Sequence, residues 1–349
     1  MFRRVVLARG DGSLAGYGVN HSVIEDLLDK AKVPGWTKSH VVEGGSRTHS
    51  KRVSSAASDF QADLLHITNQ EDAHLVPNDS DAPVVVSVHN LFDFRPRSIE
   101  AGGVSISLGE RTPSSSRKKG LTAIREGMER ANLLLCSSDL TLTDARLLFP
   151  GTESALVRDS IDTGFWDPVK MPRDRALLGG LDSNGKCLLV SVGGEDPRWR
   201  GQFVDEVMAA LPEEMIEDIH LIRIGIERLT REQVATAYQH AEAMLYPGIS
   251  VGFHSPPMEA MAAGCPVIAS DLPVHEESLP RRCILQANII DDWCSAIMDI
   301  HREWRRAGGV SRHPDESLVE HAISTSGRMK HGESLAEAYD SALDNSKNN

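Results

Sequence analysis

The stretch Tyr246-Pro247-Gly248-Ile249-Ser250-Val251-Gly252-Phe253-His254-Ser255-Pro256-Pro257-Met258-Glu259-Ala260-Met261-Ala262-Ala263-Gly264-Cys265-Pro266-Val267-Ile268-Ala269-Ser270 reads as a strand end, a glycine-containing loop, a short helix, a turn and a buried strand. Ser255 suits the N-cap, and Pro256 suits the first helical position, where no N–H is needed. The free N–H groups and the dipole of such a helix start favour an anion. Gly252 lets backbone approach that anion closely. Glu259 stands one turn into the helix. A carboxylate there can accept two hydroxyl hydrogen bonds, which suits a ribose diol; alone, it could equally be a surface acid that improves the helix dipole.

Working outward, short apolar runs alternate with helical stretches along the whole chain. The runs are Val5–Ala8, Leu64–Ile67, Val84–Val88, Leu133–Cys136 and Ala155–Val157, then Cys187–Val192, His220–Gly225, Ala243–Tyr246 and Pro266–Ser270. Unbroken, β-branched runs of this length between helices predict parallel strands covered on both faces. The fold class is therefore α/β, in two doubly wound, Rossmann-like domains facing a cleft. The polar segment Asp162–Pro168 reads as the connection. It predicts an N-terminal domain over 1–165 and a C-terminal domain over 166–312. The segment 313–349 carries a last helix that packs back on the N-terminal domain and then a disordered end.

Five scattered cysteines, with no C-x-x-C, argue for a reducing, cytoplasmic setting and against a zinc site. No stretch approaches the roughly 20 apolar residues of a membrane span. Residues 1–165 carry 19 basic against 21 acidic side chains, and residues 166–349 carry 18 against 29. An acidic half argues against a nucleic-acid partner, because phosphate backbones need basic faces. The run Arg117-Lys118-Lys119 is the candidate for peripheral contact with an anionic membrane, or else a solvated helix face.

With these residues in view, the 246–270 stretch resembles the donor-site signature of family 4 glycosyltransferases, which have the GT-B fold. Fainter echoes follow in order along the chain. They are the Gly-rich loop Gly12–Gly18, the strand ends Asp63–His66 and Val86–Asn90, the linker Val157–Pro168, and the strand and basic loop Leu189–Gly201. The resemblance implies retaining transfer of a sugar from a nucleotide-sugar donor to a glycan, lipid-linked or small-molecule acceptor, without metal or cofactor. Glu259 falls on the second Glu of the family's Glu-x7-Glu pair and would hold the ribose. Gly252, Phe253, His254 and Ser255 would line the donor. Arg198 and Arg200 would face the diphosphate, whose charge grows as the glycosidic bond breaks. His89, at a strand end, would lie near the donor sugar as the catalytic candidate, or be a histidine satisfied locally. Gly16 and Gly18 would bring backbone close to donor phosphate or acceptor.

Several positions depart from the pattern. Val251 stands where the family has its first Glu, and Gly194 where it has its first cation. His254 replaces a Gly and Ser255 a Leu. These changes leave room for a second reading, a catalytically silent subunit that binds a nucleotide or glycan. A dinucleotide fingerprint at Gly10-x-Gly12-x-x-Ala15 is the remaining rival. Its acid would be Glu43, 33 residues beyond Gly10, where about 20 is usual.

Overall fold

The computed structural model describes residues 2–10, 17–44, 50–101, 104–181, 185–249 and 255–348. The chain divides into two compact units. The first holds Met1–Ser98, Ser107–Ser160 and Arg328–Asn349, and the second Ile99–Ile106 and Ile161–Gly327. The helix Glu316–Ser326 thus lies in the second unit, and the chain returns to the first only after Gly327.

In the first unit the strands are β1 (Arg3–Arg9), β2 (Trp36–Glu43), β3 (Leu64–Ile67), β4 (Val84–Val88), β7 (Leu133–Cys136) and β8 (Glu153–Leu156). Between them in the chain come β5 (Arg97–Ala101) and β6 (Val104–Leu108), which pair with each other and lie largely in the second unit. The main sheet runs β2-β1-β3-β4-β7-β8, with every pairing parallel. Val5, Val6, Leu7 and Ala8 are fully buried, as a strand covered on both faces must be.

The terminal helix Arg328–Asn348 supplies part of that cover. Leu335, Ala336, Ala338, Tyr339 and Ala342 share a core with Leu7, Trp36 and Leu64. The Tyr339 hydroxyl meets His66 Nδ1 at 2.8 Å. Gly332 is a close-approach glycine, since a Cβ there would come within 2.0 Å of the Lys32 carbonyl oxygen.

The second unit contains β9 (Cys187–Val192), β10 (Ile219–Ile224), β11 (Ala243–Tyr246), β12 (Val267–Ser270) and β13 (Ile284–Leu285). Their order is β10-β9-β11-β12-β13, again parallel throughout. The chain leaves β9 toward one neighbour, β10, and comes back to pair β11 on the other side. That reversal opens a crevice at the carboxyl ends of β9 and β11, where open α/β sheets take ligands.

Some elements lie outside the sequence reading. β2 is an edge strand of mixed burial and shows no apolar run. The helix Ser50–Asp59 buries only Val53, Ala56 and Ala57, too small a stripe to stand out.

Candidate functional site

Two loops meet at the β9/β11 crevice. The first follows β9 as Gly193–Arg200, and the second follows β11 from Pro247. Ile249 donates its N–H to the Arg198 carbonyl at 2.7 Å. Arg200 Nη1 reaches the Pro247 carbonyl at 3.4 Å and the Ala287 carbonyl at 2.7 Å, and its Nη2 donates to Asn288 Oδ1 at 3.0 Å. Its guanidinium also lies 4.2 Å over the Phe203 ring. Arg200 is 6% exposed, and burial lowers its pKa to about 10, with Glu206 offsetting part of the effect. It remains charged at neutral pH. Its backbone is left-handed, with φ 53°, an uncommon state for a residue with a side chain.

Arg198 differs. Asp196 caps the turn Pro197–Trp199 by accepting from the Arg198 N–H, and also takes the Arg198 side chain at 2.8 Å from Nε. Arg198 therefore contributes a backbone tie between the loops, while its charge faces Asp196 on the surface. Gly194 has φ 151°, which side-chain-bearing residues rarely adopt. The backbone at this position, where the resemblance would put a cation, thus disfavours any side chain.

Beyond the second loop, Ser255 opens the helix Ser255–Ala262 and is partly exposed. Glu259 sits on that helix, mostly buried, and burial pushes its pKa to about 7. Arg231, at the start of the helix Arg231–His240, pulls the other way. Among the described residues none donates a hydrogen bond to this carboxyl. Arg231 itself rides over Phe165, at 4.0 Å from the ring centroid. Val251, Gly252, Phe253 and His254 lie outside the described residues, as does Gly16.

The remaining candidates belong to the first unit. Gly18 lies in the first turn of the helix Tyr17–Asp29. His89 follows β4 and is 7% exposed. Its N–H donates to Gln70 Oε1 at 3.0 Å, and its carbonyl accepts from Ser137 and Thr141. Nδ1 meets Asp159 Oδ2 at 3.2 Å. Burial alone would lower the His89 pKa. The Asp159 charge and hydrogen bond, with the Thr68 carbonyl, outweigh burial and raise it. Asp159 escaped the sequence reading because it lies 70 residues away, in a segment read only as a linker.

Arg117 is not a free membrane-facing cation, because Glu71 and Asp93 both pair with it. Lys118 and Lys119 are exposed. Glu43, weighed for a dinucleotide ribose, pairs with Arg9. Among the described residues no cluster of His, Cys, Asp or Glu is placed to hold a metal ion, and no helix is long and apolar enough to cross a membrane.

Residues 184–302 match the family described as glycosyl transferases group 1. The chain is 39% identical over 79 residues to O-antigen chain mannosyltransferase RfbU of Salmonella typhimurium, a match spanning 22% of each protein. It thus covers about a fifth of that relative's length. Solved structures match almost end to end. Anabaena Alr3699/HepE in complex with UDP gives a TM-score of 0.69 at 11% identity, covering 97% of this chain and 100% of that one. The fold is GT-B. Sucrose-phosphate synthase from Thermosynechococcus elongatus gives 0.67 at 12% identity, covering 97% and 98%. WaaG, a glycosyltransferase involved in lipopolysaccharide biosynthesis, gives 0.57 at 12%, covering 97% and 98%.

Proposed function

We propose that the chain transfers a sugar from a nucleotide-sugar donor to an acceptor, and that its second unit binds the donor. The observation that carries this reading is the meeting, at the β9/β11 switch point, of a buried cation with the loop leading into the Glu259 helix. Arg200 supplies a positive charge that neutral acceptors satisfy but do not neutralise. In this reading it faces the leaving diphosphate. The start of the Ser255–Ala262 helix offers backbone N–H groups to the same anion. Glu259, to which none of the described residues donates a hydrogen bond, takes the ribose hydroxyls. The Anabaena neighbour was solved with UDP, which favours a nucleotide-linked donor.

In this reading His89 is oriented by Asp159, whose charge and hydrogen bond raise its pKa. Retention and independence of a metal are carried over from the family 4 resemblance. Contact with a membrane, where a lipid-linked acceptor would reside, would rest on Lys118 and Lys119.

Gly194 favours a second reading, a silent binding subunit, since its conformation disfavours the family's cation there. Two measurements separate the two. Calorimetric titration with nucleoside diphosphates tests the grip, and turnover of a panel of nucleotide-sugars tests the chemistry. Transfer is expected to show both binding and slow donor hydrolysis. Binding with no turnover of any donor would leave the silent subunit, and no binding at all would remove both.

A further inference from the structure

The helix Ser50–Asp59 is closed by a left-handed residue, Gln61, with φ 49°. The Gln61 N–H donates to the Ser58 carbonyl at 3.2 Å, and the Ala62 N–H donates to the Ala57 carbonyl at 2.9 Å. This is a helix stop whose left-handed position ordinarily holds Gly. Here a glutamine is kept there, and its Oε1 accepts from Arg4 Nη1 at 3.0 Å. A second irregularity lies in the edge strand β2. Val5 pairs with Lys38 but Val6 pairs with His40, so Ser39 is an extra residue, a bulge of the kind that re-aims side chains at sheet edges. Arg4, Ser39 and Gln61, with Thr37, Asp59 and Phe60, line an open cleft of about 410 Å³. It lies at the amino ends of β1, β2 and β3, the far end of this sheet from His89, which follows β4.

The side chains of the cleft balance one another. Lys38, also on its wall, is committed to Glu25 and Asp29, both at 2.7 Å. Among the described residues no carboxylate pairs with the Arg4 guanidinium and no cation pairs with Asp59. Arg4 and the Gln61 amide retain N–H groups to donate, and the Asp59 carboxylate retains oxygens to accept. Phe60 adds an apolar wall. One face of its ring is stacked on His40, with centroids 3.9 Å apart and planes 7° from parallel, yet 39% of the residue stays exposed.

Donors and acceptors together, one charge of each sign and an aromatic ring suit a neutral sugar. Its hydroxyls both give and take hydrogen bonds, and its C–H groups can rest on the negative face of an aromatic ring. A free amino acid would also match the two charges, but sites for small molecules enclose most of the ligand's surface, and this cleft is open. A chain that lays one unit across it has no such need. We propose that the cleft binds a neutral hexose unit of a glycan chain, as a carbohydrate site of the first unit. The inference stands apart from the donor reading, since holding a glycan requires no nucleotide.

The test uses the full-length chain with maltotriose, cellotriose and mannotriose as probes. Saturation-transfer NMR detects contact, and titration gives the affinity. At least one trisaccharide is expected to bind. Phe60→Ala and Asp59→Asn should each weaken it roughly tenfold. Asp59 is exposed and breaks no ion pair when neutralised, so its variant keeps the test sound even where Phe60→Ala folds poorly. L-leucine, a free zwitterion, should not displace the sugar. No binding of any trisaccharide would overturn the proposal. Affinity unchanged in both variants would overturn it too, by putting the sugar elsewhere. So would L-leucine binding that Asp59→Asn abolishes while no trisaccharide competes. UDP titrated against the same variants should bind as it does to wild type. Failure of wild type to bind UDP would count against the donor reading and leave the cleft standing.

Discussion

Arg200 Nη1 donates to the carbonyl oxygen of Ala287 at 2.7 Å, so a buried cation is held by neutral oxygen. Among the described residues no carboxylate pairs with it. Burial costs a charge less when hydrogen bonds satisfy it, but only an opposite charge cancels it. The net positive charge is therefore available to an anion at the crevice. Arg200→Met should weaken UDP binding by roughly tenfold or more, since charge-assisted hydrogen bonds contribute about 1.5–3 kcal/mol. Uridine, lacking the diphosphate, should be affected far less. Equal losses for the two ligands in calorimetry would remove Arg200 from the phosphate role.

Glu259 makes the donor grip depend on pH. Burial raises its pKa from 4.5 to about 7. The folded chain thus holds this proton more tightly than the unfolded chain does. Its favourable contribution is complete below about pH 4.5 and is lost as pH rises through about 7. Glu259→Gln removes that dependence, so the variant should exceed wild type in stability at pH 8 by about 2 kcal/mol, and match it near pH 4.5. Ligand binding runs the other way, because ribose hydroxyls are best accepted by the ionised form. Wild-type UDP affinity should fall about tenfold from pH 8 to pH 6, and the variant should be weak and flat. Urea unfolding and calorimetry at those pH values decide both points. A wild type and variant with parallel pH profiles would refute this assignment of Glu259.

Much of this architecture is legible in the residues, and the gaps have physical causes. Runs such as Val84–Val88 and Cys187–Val192 announce buried parallel strands because both of their faces are covered. The Ser255–Ala262 helix is legible from its Ser-Pro start. By contrast, nothing in the order of residues brings Asp159 to His89, or Glu71 and Asp93 to Arg117. Those pairings come from strand order, which local pattern does not encode. Reading Arg117-Lys118-Lys119 as one patch overlooked that a carboxylate from another element can claim its first member.

Gly225 should be intolerant of substitution. Its φ of 97° excludes L side chains, and the Gly193 carbonyl oxygen stands 2.5 Å from any Cβ added to it. That oxygen belongs to backbone and cannot swing aside as a side-chain tip can. Gly225→Ala should cost about 2 kcal/mol or more in urea unfolding. By comparison Gly151→Ala, where a Cβ meets nothing within 4 Å and φ is not positive, should change stability by about 0.5 kcal/mol at most. Similar unfolding midpoints for the two variants would contradict the tight turn after β10.

The His89–Asp159 pair should be read out in the first unit's stability rather than in donor binding. Burial lowers the imidazole pKa, but Asp159 reverses the shift and raises it. A histidine raised in this way contributes stability that is fully present below its unfolded value, about 6.5. The contribution is lost as pH climbs through the folded value. Asp159→Asn keeps the shape and a hydrogen-bond acceptor but removes the charge. The His89 resonance should then titrate at lower pH by NMR. The variant should also lose about 2 kcal/mol at pH 6, where wild type benefits most, and much less at pH 9. His331, which bonds the neighbouring Arg158 carbonyl at 2.6 Å, keeps its own hold on the segment, so the loss should stop short of unfolding. UDP affinity should be unchanged, because Asp159 belongs to the other unit from Arg200 and Glu259. An Asp159→Asn protein as stable as wild type at pH 6, with an unshifted His89 titration, would show that the pair is not an ion pair in solution.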